Sequence, residues 1–196
     1  MSVPARVFAF FRVLWRLLRA PVLIGLGFAI GFVVPYVAHF SAQAAVEAVA
    51  KSKGDLALVS AVSSRTPWWT TLEADGAPKI IARLPFVERA DHPAALPAFV
   101  VSRAAADAMV REVEVWSVRV SGWNAEIARA LSPLAEIVAV PDTAFDGAAL
   151  LVSISGANRL EKIKLALIEA GASIRSTALV GSHATRYTVP VNGTAR

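Results

Sequence analysis

The sequence predicts an α/β (α+β) protein in which an N-terminal apolar helix precedes a mixed-sheet region. Three observations predict this class. Residues 20–46 carry no charged side chain, residues 41–104 alternate between helix and strand patterns, and the second half of the chain contains an internal repeat. Alternation of helices and strands is typical of an α/β layer with a partly parallel sheet. The chain therefore divides into segments 1–40, 41–104 and 105–196.

Residues 1–40 predict a basic N-terminus followed by a transmembrane helix. Residues 1–19 contain four arginines and no acidic residue, and the apolar stretch 20–40 is about as long as a bilayer requires. The positive-inside rule then predicts a single-pass anchor in the inner membrane with its N-terminus in the cytoplasm. The alternative is a cytoplasmic protein in which this stretch forms a buried helix and strand, with Pro35 and the glycines as turn signals.

Charge and composition narrow the classes of partner. The net charge of +5 arises from the N-terminal arginines, because basic and acidic residues nearly balance in the remainder. Since no basic stripe with interleaved aromatics remains, we expect no nucleic-acid partner. The chain has no cysteine, and its histidines (His39, His92 and His183) are far apart, so we expect no metal site. Gly27 and Gly31 have the spacing of a helix-packing motif, and a homodimer is one expectation.

The segment 41–104 begins with the helix pattern "SAQAAVEAVAKSK". Ser41 is suited to cap its N-terminus, the lysines favour its C-terminal end, and Gly54 ends it. Strands are predicted for "DLALVSAV", "KIIARLPFV" and "AFVVSRA", and "ERADHPAALP" is predicted to be a polar connection. The stretch "TPWWTTLEADGAP" predicts a helical turn that starts at a proline. We expect Trp68 and Trp69 to belong mainly to the core.

The segment 105–196 contains two copies of one pattern. Each copy runs from an alternating strand through Ser-Gly-x-Asn into an amphipathic helix and a second strand, and the copies are 34 residues apart. Gly122 and Gly156 free the backbone at the turn, and Asn124 and Asn158 are suited to cap the helices. Two consecutive β-α-β units favour a ferredoxin-like sandwich. Such a domain could also serve as a regulatory sensor for an amino acid.

The stretch "GSHATRYTVP", residues 181–190, concentrates groups that can bind a carboxylate. Ser182, His183, Thr185 and Arg186 lie within five positions. The planar guanidinium of arginine matches a carboxylate, and a threonine hydroxyl can donate a hydrogen bond to one. The alternative is a β-turn that leads into an edge strand, with Arg186 on the solvent face. The residues alone favour the turn over a substrate site in which Ser182, His183 and Arg186 bind the ligand.

Longer stretches resemble a known family. The stretches "VVPYVAHFSAQAAVEAVAKSKGDLALVSA", "RTPWW", "GAPKIIARLPF" and "GSHATRYTV" resemble the C-terminal, prephenate dehydratase-like region of bacterial two-part chorismate mutase proteins. The resemblance implies a prephenate dehydratase-like fold, a role in phenylalanine biosynthesis, and no cofactor. It implies that Thr185 is the catalytic or substrate-orienting hydroxyl and that Arg186 binds a carboxylate of prephenate, chorismate or phenylalanine. Tyr187 replaces the phenylalanine of the family's Thr-Arg-Phe signature.

The resemblance leaves the reaction open between an isomerase and a lyase. Helical chorismate mutases hold their substrate with polar side chains on long helices, but residues 1–40 contain no lysine, glutamine or glutamate. The mutase pocket is therefore not visible in this sequence. The alternative function is a single-pass, membrane-anchored binding or interaction domain without catalysis.

Overall fold

The computed structural model describes residues 37–61, 66–89, 97–103, 110–140, 147–156 and 159–189. Contacts between Cα atoms divide the chain into two units, Met1–Ala38 and His39–Arg196, and every element below belongs to the second. Most of the predicted helix at 20–40 lies outside the described residues, and residues 37–40 are not helical. None of the described helices is both long and apolar enough to span a membrane.

The described residues form a mixed α/β fold with three α-helices, one 3₁₀ helix and nine strands. The helices are α1 (Ala42–Lys51), the 3₁₀ helix (Trp68–Leu72), α2 (Ala125–Leu131) and α3 (Leu160–Glu169). The strands are β1 (Ala57–Ser60), β2 (Lys79–Leu84), β3 (Val87–Arg89), β4 (Ala98–Ser102), β5 (Val113–Ser121), β6 (Glu136–Ala139), β7 (Ala148–Ser155), β8 (Ser173–His183) and β9 (Tyr187–Val189).

The elements predicted for residues 41–104 are mostly confirmed. The hydroxyl of Ser41 accepts a hydrogen bond from the Ala44 amide at 3.1 Å, which satisfies one free N–H at the start of α1. The predicted strands correspond to β1, β2 and β4, and the 3₁₀ helix starts after Pro67. The connection predicted at "ERADHPAALP" is wrong at its start, because residues 88 and 89 belong to β3.

Seven strands form one sheet in the order β1-β4-β2-β8-β5-β7-β6. Within it only β2 and β8 pair in parallel, with Ile80 opposite Gly181, and the other neighbours are antiparallel. The strands β3 and β9 form a separate parallel pair in which Val87 lies opposite Tyr187. The sheet is therefore mixed, with less parallel pairing than the alternation of elements suggests.

The predicted repeat corresponds to β5-α2-β6 followed by β7-α3-β8. These strands are adjacent in the sheet in the order β8-β5-β7-β6. The Asn124 side chain accepts hydrogen bonds from the Glu126 and Ile127 amides, so the first predicted cap is confirmed. The second predicted cap, Asn158, lies outside the described residues, and Arg159 makes no side-chain cap at the start of α3. The two copies share their order of elements but differ at this turn.

The sheet separates two hydrophobic cores. Alternate residues of β7 lie on opposite faces, and accordingly Leu151 belongs to one core while Leu150 and Val152 belong to the other. The first core contains residues of α1, the 3₁₀ helix and β1, including the fully buried Trp68 and Trp69, as predicted. The second core contains the apolar faces of α2 and α3. Residues 181–186 lie where β8 leaves the sheet beside the first core.

Candidate functional site

The candidate site lies at the C-terminal end of β8. Residues 181–183 are the last three of that strand, and residues 184–186 form the turn that leads to β9. The turn leads into β9, an edge strand of the separate two-stranded sheet, as the alternative interpretation predicts, although the Arg186 side chain is only 20% exposed. The strand β8 itself lies between β2 and β5 and is an interior strand. Ser182 and His183 are accordingly buried, whereas Thr185 is exposed.

A bidentate ion pair crosses the first core beside this turn. The guanidinium of Arg83, in β2, donates to both carboxylate oxygens of Glu136, in β6, at 2.6 and 2.7 Å. Arg83 is only 4% exposed, whereas the side chain of Glu136 is 47% exposed. The Arg83 guanidinium also lies 5.6 Å from the centroid of the Phe99 ring. A charged side chain is thus held in the interior by its carboxylate partner and an aromatic face.

His183 packs against the same aromatic ring. Its ring centroid is 6.2 Å from that of Phe99, and Nδ1 lies 2.7 Å from the carbonyl oxygen of Ala184. Because a carbonyl oxygen only accepts, Nδ1 carries a proton in this contact. Burial lowers the pKa of His183, and the charges of Arg83 and Arg186 lower it further against the opposing effects of Ala184 and Glu136. The ring is therefore held in its neutral form.

Several buried polar atoms around the pair have no hydrogen-bond partner among the described residues. Around the β8 end these atoms are Arg83 Nε, Ser182 Oγ and His183 Nε2. Arg83 Nε and Ser182 Oγ can donate, while His183 Nε2 can accept if Nδ1 is protonated. Buried polar groups are usually paired, so a set of unpaired ones within one region calls for a physical explanation. Two of the three belong to Ser182 and His183, which are candidate ligand-binding residues in the sequence.

Arg186 brings a second guanidinium to the same carboxylate. Its Nη2 atom lies 3.7 Å from Glu136 Oε2, and its side chain is 20% exposed. The hydrogen bonds from Arg83 lower the pKa of Glu136 despite its partial burial, and the charges of Arg83 and Arg186 act in the same direction. Two guanidinium groups thus lie beside one ionised carboxylate.

Thr185 contacts a different carboxylate. Its backbone N–H donates to Glu112 Oε2 at 2.7 Å. This hydrogen bond, together with a second one from the Thr185 side chain, lowers the pKa of the exposed Glu112. At this turn, the Glu112 carboxylate is therefore bound to Thr185, and the Glu136 carboxylate lies beside Arg186.

Two concavities adjoin the site through these carboxylates. One, of about 580 Å³, lies between α2 and β6 and includes Glu136 in its lining. The other, of about 420 Å³, lies near the start of α3 and includes Glu112 and Trp116. The four residues selected from the sequence line neither of them. The turn between Ala184 and Arg186 is thus a surface site whose acidic partners reach into neighbouring depressions.

Sequence reasoning missed three residues of this site: Arg83, Glu136 and Glu112. Arg83 could have been suspected from the sequence, because an arginine inside the apolar strand "KIIARLPFV" must either face solvent or pair with a buried partner. Glu136 and Glu112 are at the start of β6 and just before β5, where an acidic residue is ordinary. Only the sheet order shows that they approach the end of β8.

Comparison of the chain with protein-family models, with curated proteins and with solved structures finds no match in any of the three.

Proposed function

We propose that this protein binds a small dicarboxylate, such as prephenate or chorismate, at the turn between β8 and β9. The observation that carries the proposal is the second guanidinium at the turn. Arg186 is partly exposed beside a carboxylate that the buried Arg83 already holds with two hydrogen bonds. The planar fork of arginine matches the two oxygens of a carboxylate.

The proposed family is the prephenate dehydratase-like region of chorismate mutase proteins, which the sequence resembles. The order β8-β5-β7-β6 with helices after β5 and β7 supports a ferredoxin-like arrangement for the second half of the chain. In this proposal the protein belongs to phenylalanine biosynthesis and needs no cofactor. Ser182 and His183 support the turn from inside the core, because both side chains are buried.

Thr185 is proposed to orient the ligand. Its amide donates a hydrogen bond to the carboxylate of Glu112, which supports carboxylate recognition. We propose no mutase activity for the chain, since residues 1–40 lack the polar groups that the helical mutase pocket uses. Purified full-length protein should therefore convert chorismate to prephenate no faster than buffer does, and robust turnover would contradict this part of the proposal.

A thermal-shift titration tests the binding proposal. We expect chorismate, prephenate or phenylalanine to raise the melting temperature of the full-length protein saturably, because a ligand that binds only the folded state stabilises it. Arg186→Ala should abolish this shift while changing the melting temperature of the free protein little. Arg129→Ala, which removes an exposed arginine from α2, is the matched control and should retain the shift. A folded protein that none of the three ligands stabilises would refute the proposal.

The second candidate is a membrane-anchored binding domain without catalysis. It is favoured by the division of the chain between Ala38 and His39, which places the described elements in a unit of their own. With the N-terminus in the cytoplasm, the anchor would place Arg186 outside it, away from cytosolic chorismate. Under this candidate, membranes washed with alkaline carbonate should retain the full-length protein. Its complete release would favour a cytoplasmic location.

A further inference from the structure

The backbone of the turn already holds a carboxylate in the absence of any ligand. Glu112 Oε2 accepts a hydrogen bond from the Thr185 amide at 2.7 Å, and the same threonine carries a hydroxyl. Glu112 directly precedes β5, and Val113 lies opposite His183 in the register of β5 and β8. The carboxylate is therefore delivered to the turn by the strand next to β8.

This contact differs from the ion pair of Glu136 in its exposure. Arg83 is buried and holds Glu136 with both terminal nitrogens, so separation of that pair leaves a charge in the interior. Glu112 is exposed, and its carboxylate can return to water without a comparable penalty. Of the two carboxylates at the turn, Glu112 is the one that a ligand can replace easily.

A backbone N–H that donates to an anionic oxygen, with a hydroxyl on the same residue, is a general arrangement for binding a carboxylate. Hydrogen bonds to an ionised acceptor are shorter and stronger than those between neutral groups. The donors of Thr185 carry no information about which carboxylate they hold, because they contact only its oxygens. A carboxylate of a small molecule would satisfy them as well as the side chain of Glu112 does.

We infer that the Thr185 amide and hydroxyl form a carboxylate subsite, which Glu112 occupies until a ligand carboxylate displaces it. The inference rests on the proposed function, since it assigns one ligand carboxylate to Thr185 and the other to the neighbourhood of Arg186. Glu112 is then a tethered competitor that lowers the apparent affinity for every ligand with a carboxylate at this position. A ligand with two carboxylates fits the turn better than one with a single carboxylate.

Removal of the competitor should strengthen binding. Exposed charge-assisted contacts are weak, so Glu112→Gln should lower the Kd by about two- to fivefold. Titration calorimetry of the full-length protein with prephenate gives the Kd directly. Glu169→Gln removes one negative charge from the exposed end of α3 and is the control for the change in net charge. It should leave the Kd unchanged.

The outcomes separate this inference from the proposed function. A lower Kd for Glu112→Gln with an unchanged Kd for Glu169→Gln supports the role of Glu112 as a competitor. If Arg186→Ala abolishes binding but Glu112→Gln leaves it unchanged or weakens it, Glu112 is not a competitor and the proposed function stands. If neither the wild type nor Glu112→Gln binds prephenate, chorismate or phenylalanine, the proposed function fails and the inference fails with it. A melting curve of each variant verifies that it is folded.

Discussion

At the scale of single residues, Arg83 and Glu136 are an unequal pair. Arg83 is almost fully buried, whereas nearly half of the Glu136 side chain is exposed. The loss of one partner therefore has different consequences for the other. Without Arg83, the Glu136 carboxylate can turn to water, but without a carboxylate Arg83 remains charged in the core beside Phe99.

Substitutions of Glu136 and of Arg83 should therefore lower the free energy of unfolding by different amounts. We expect Glu136→Gln to lower the free energy of unfolding by about 2 kcal/mol, because it leaves a buried guanidinium without its counter-charge. Arg83→Met should cost less, since an apolar side chain of similar length fills the space against Phe99. Urea denaturation monitored by tryptophan fluorescence measures both values. A larger loss for Arg83→Met than for Glu136→Gln would show that the pair does not act as described.

His183 makes stability depend on pH. Burial and the nearby arginines lower its pKa in the folded protein below the ordinary value of about 6.5, so the unfolded chain binds more protons in that interval. The contribution of neutral His183 to the free energy of unfolding is fully present above its ordinary pKa. This contribution is lost as the pH falls from there toward the pKa of His183 in the folded protein. Glu136, whose pKa is also lowered, adds a loss below the ordinary carboxyl range.

We therefore expect the melting temperature of the full-length protein to fall between pH 6.5 and pH 5. His183→Gln should make this fall shallower, because glutamine takes up no proton on unfolding. Differential scanning calorimetry across this range compares the two slopes. An unchanged slope in the variant would mean that another group is responsible.

At the scale of elements, the junction of β2 and β8 is the most constrained place in the sheet. It is the only parallel pair in the described seven-stranded sheet, and there Gly181 lies against the backbone of Ile80. A β-carbon on Gly181 would meet the Ile80 backbone oxygen and nitrogen. The absence of a side chain at Gly181 therefore allows β2 to approach β8 closely, just before the turn of the candidate site.

Gly181→Ala should lower the stability by about 1–3 kcal/mol, because the clash involves backbone atoms that cannot rotate away. Gly76→Ala is a useful comparison, since Gly76 also has a positive φ but has open space around it. The loss for Gly181→Ala should exceed that for Gly76→Ala in chemical denaturation. Equal losses would indicate that only the backbone conformation matters at Gly181.

Local patterns in the sequence predicted most elements correctly, because those patterns act within a few residues. The cap at Ser41, the start of the 3₁₀ helix after Pro67 and the cap at Asn124 are examples. The site was only half predictable for the same reason. Arg186 and Thr185 are neighbours in sequence, but Glu136 and Glu112 reach them only through the order of strands in the sheet.

At the scale of the whole molecule, the Arg83–Glu136 pair reveals the curvature of the sheet. The strands β8, β5 and β7 lie between β2 and β6, which would place these two strands about 19 Å apart in a flat sheet. Their direct hydrogen bonds require the sheet to curl around the first core. That core accordingly combines residues of β1, at one edge, with Val138 of β6, at the other.

The unit His39–Arg196 should fold without the preceding residues. Both described cores are built from residues after position 41, which is the basis of this expectation. A chain that starts at residue 39 should be soluble and show a cooperative melting transition close to that of the full-length protein. Aggregation of this shortened chain would indicate that residues 1–38 supply part of the core.

An amide-resolved NMR titration of the protein with prephenate tests the proposed carboxylate site most directly. We expect saturable shifts that are largest at Ser182–Arg186, together with a shift at Glu112 as its carboxylate leaves Thr185. Arg186→Ala should remove these shifts. Saturable shifts confined to other parts of the chain, or none at all from a folded protein, would contradict the claim that this turn is a carboxylate site.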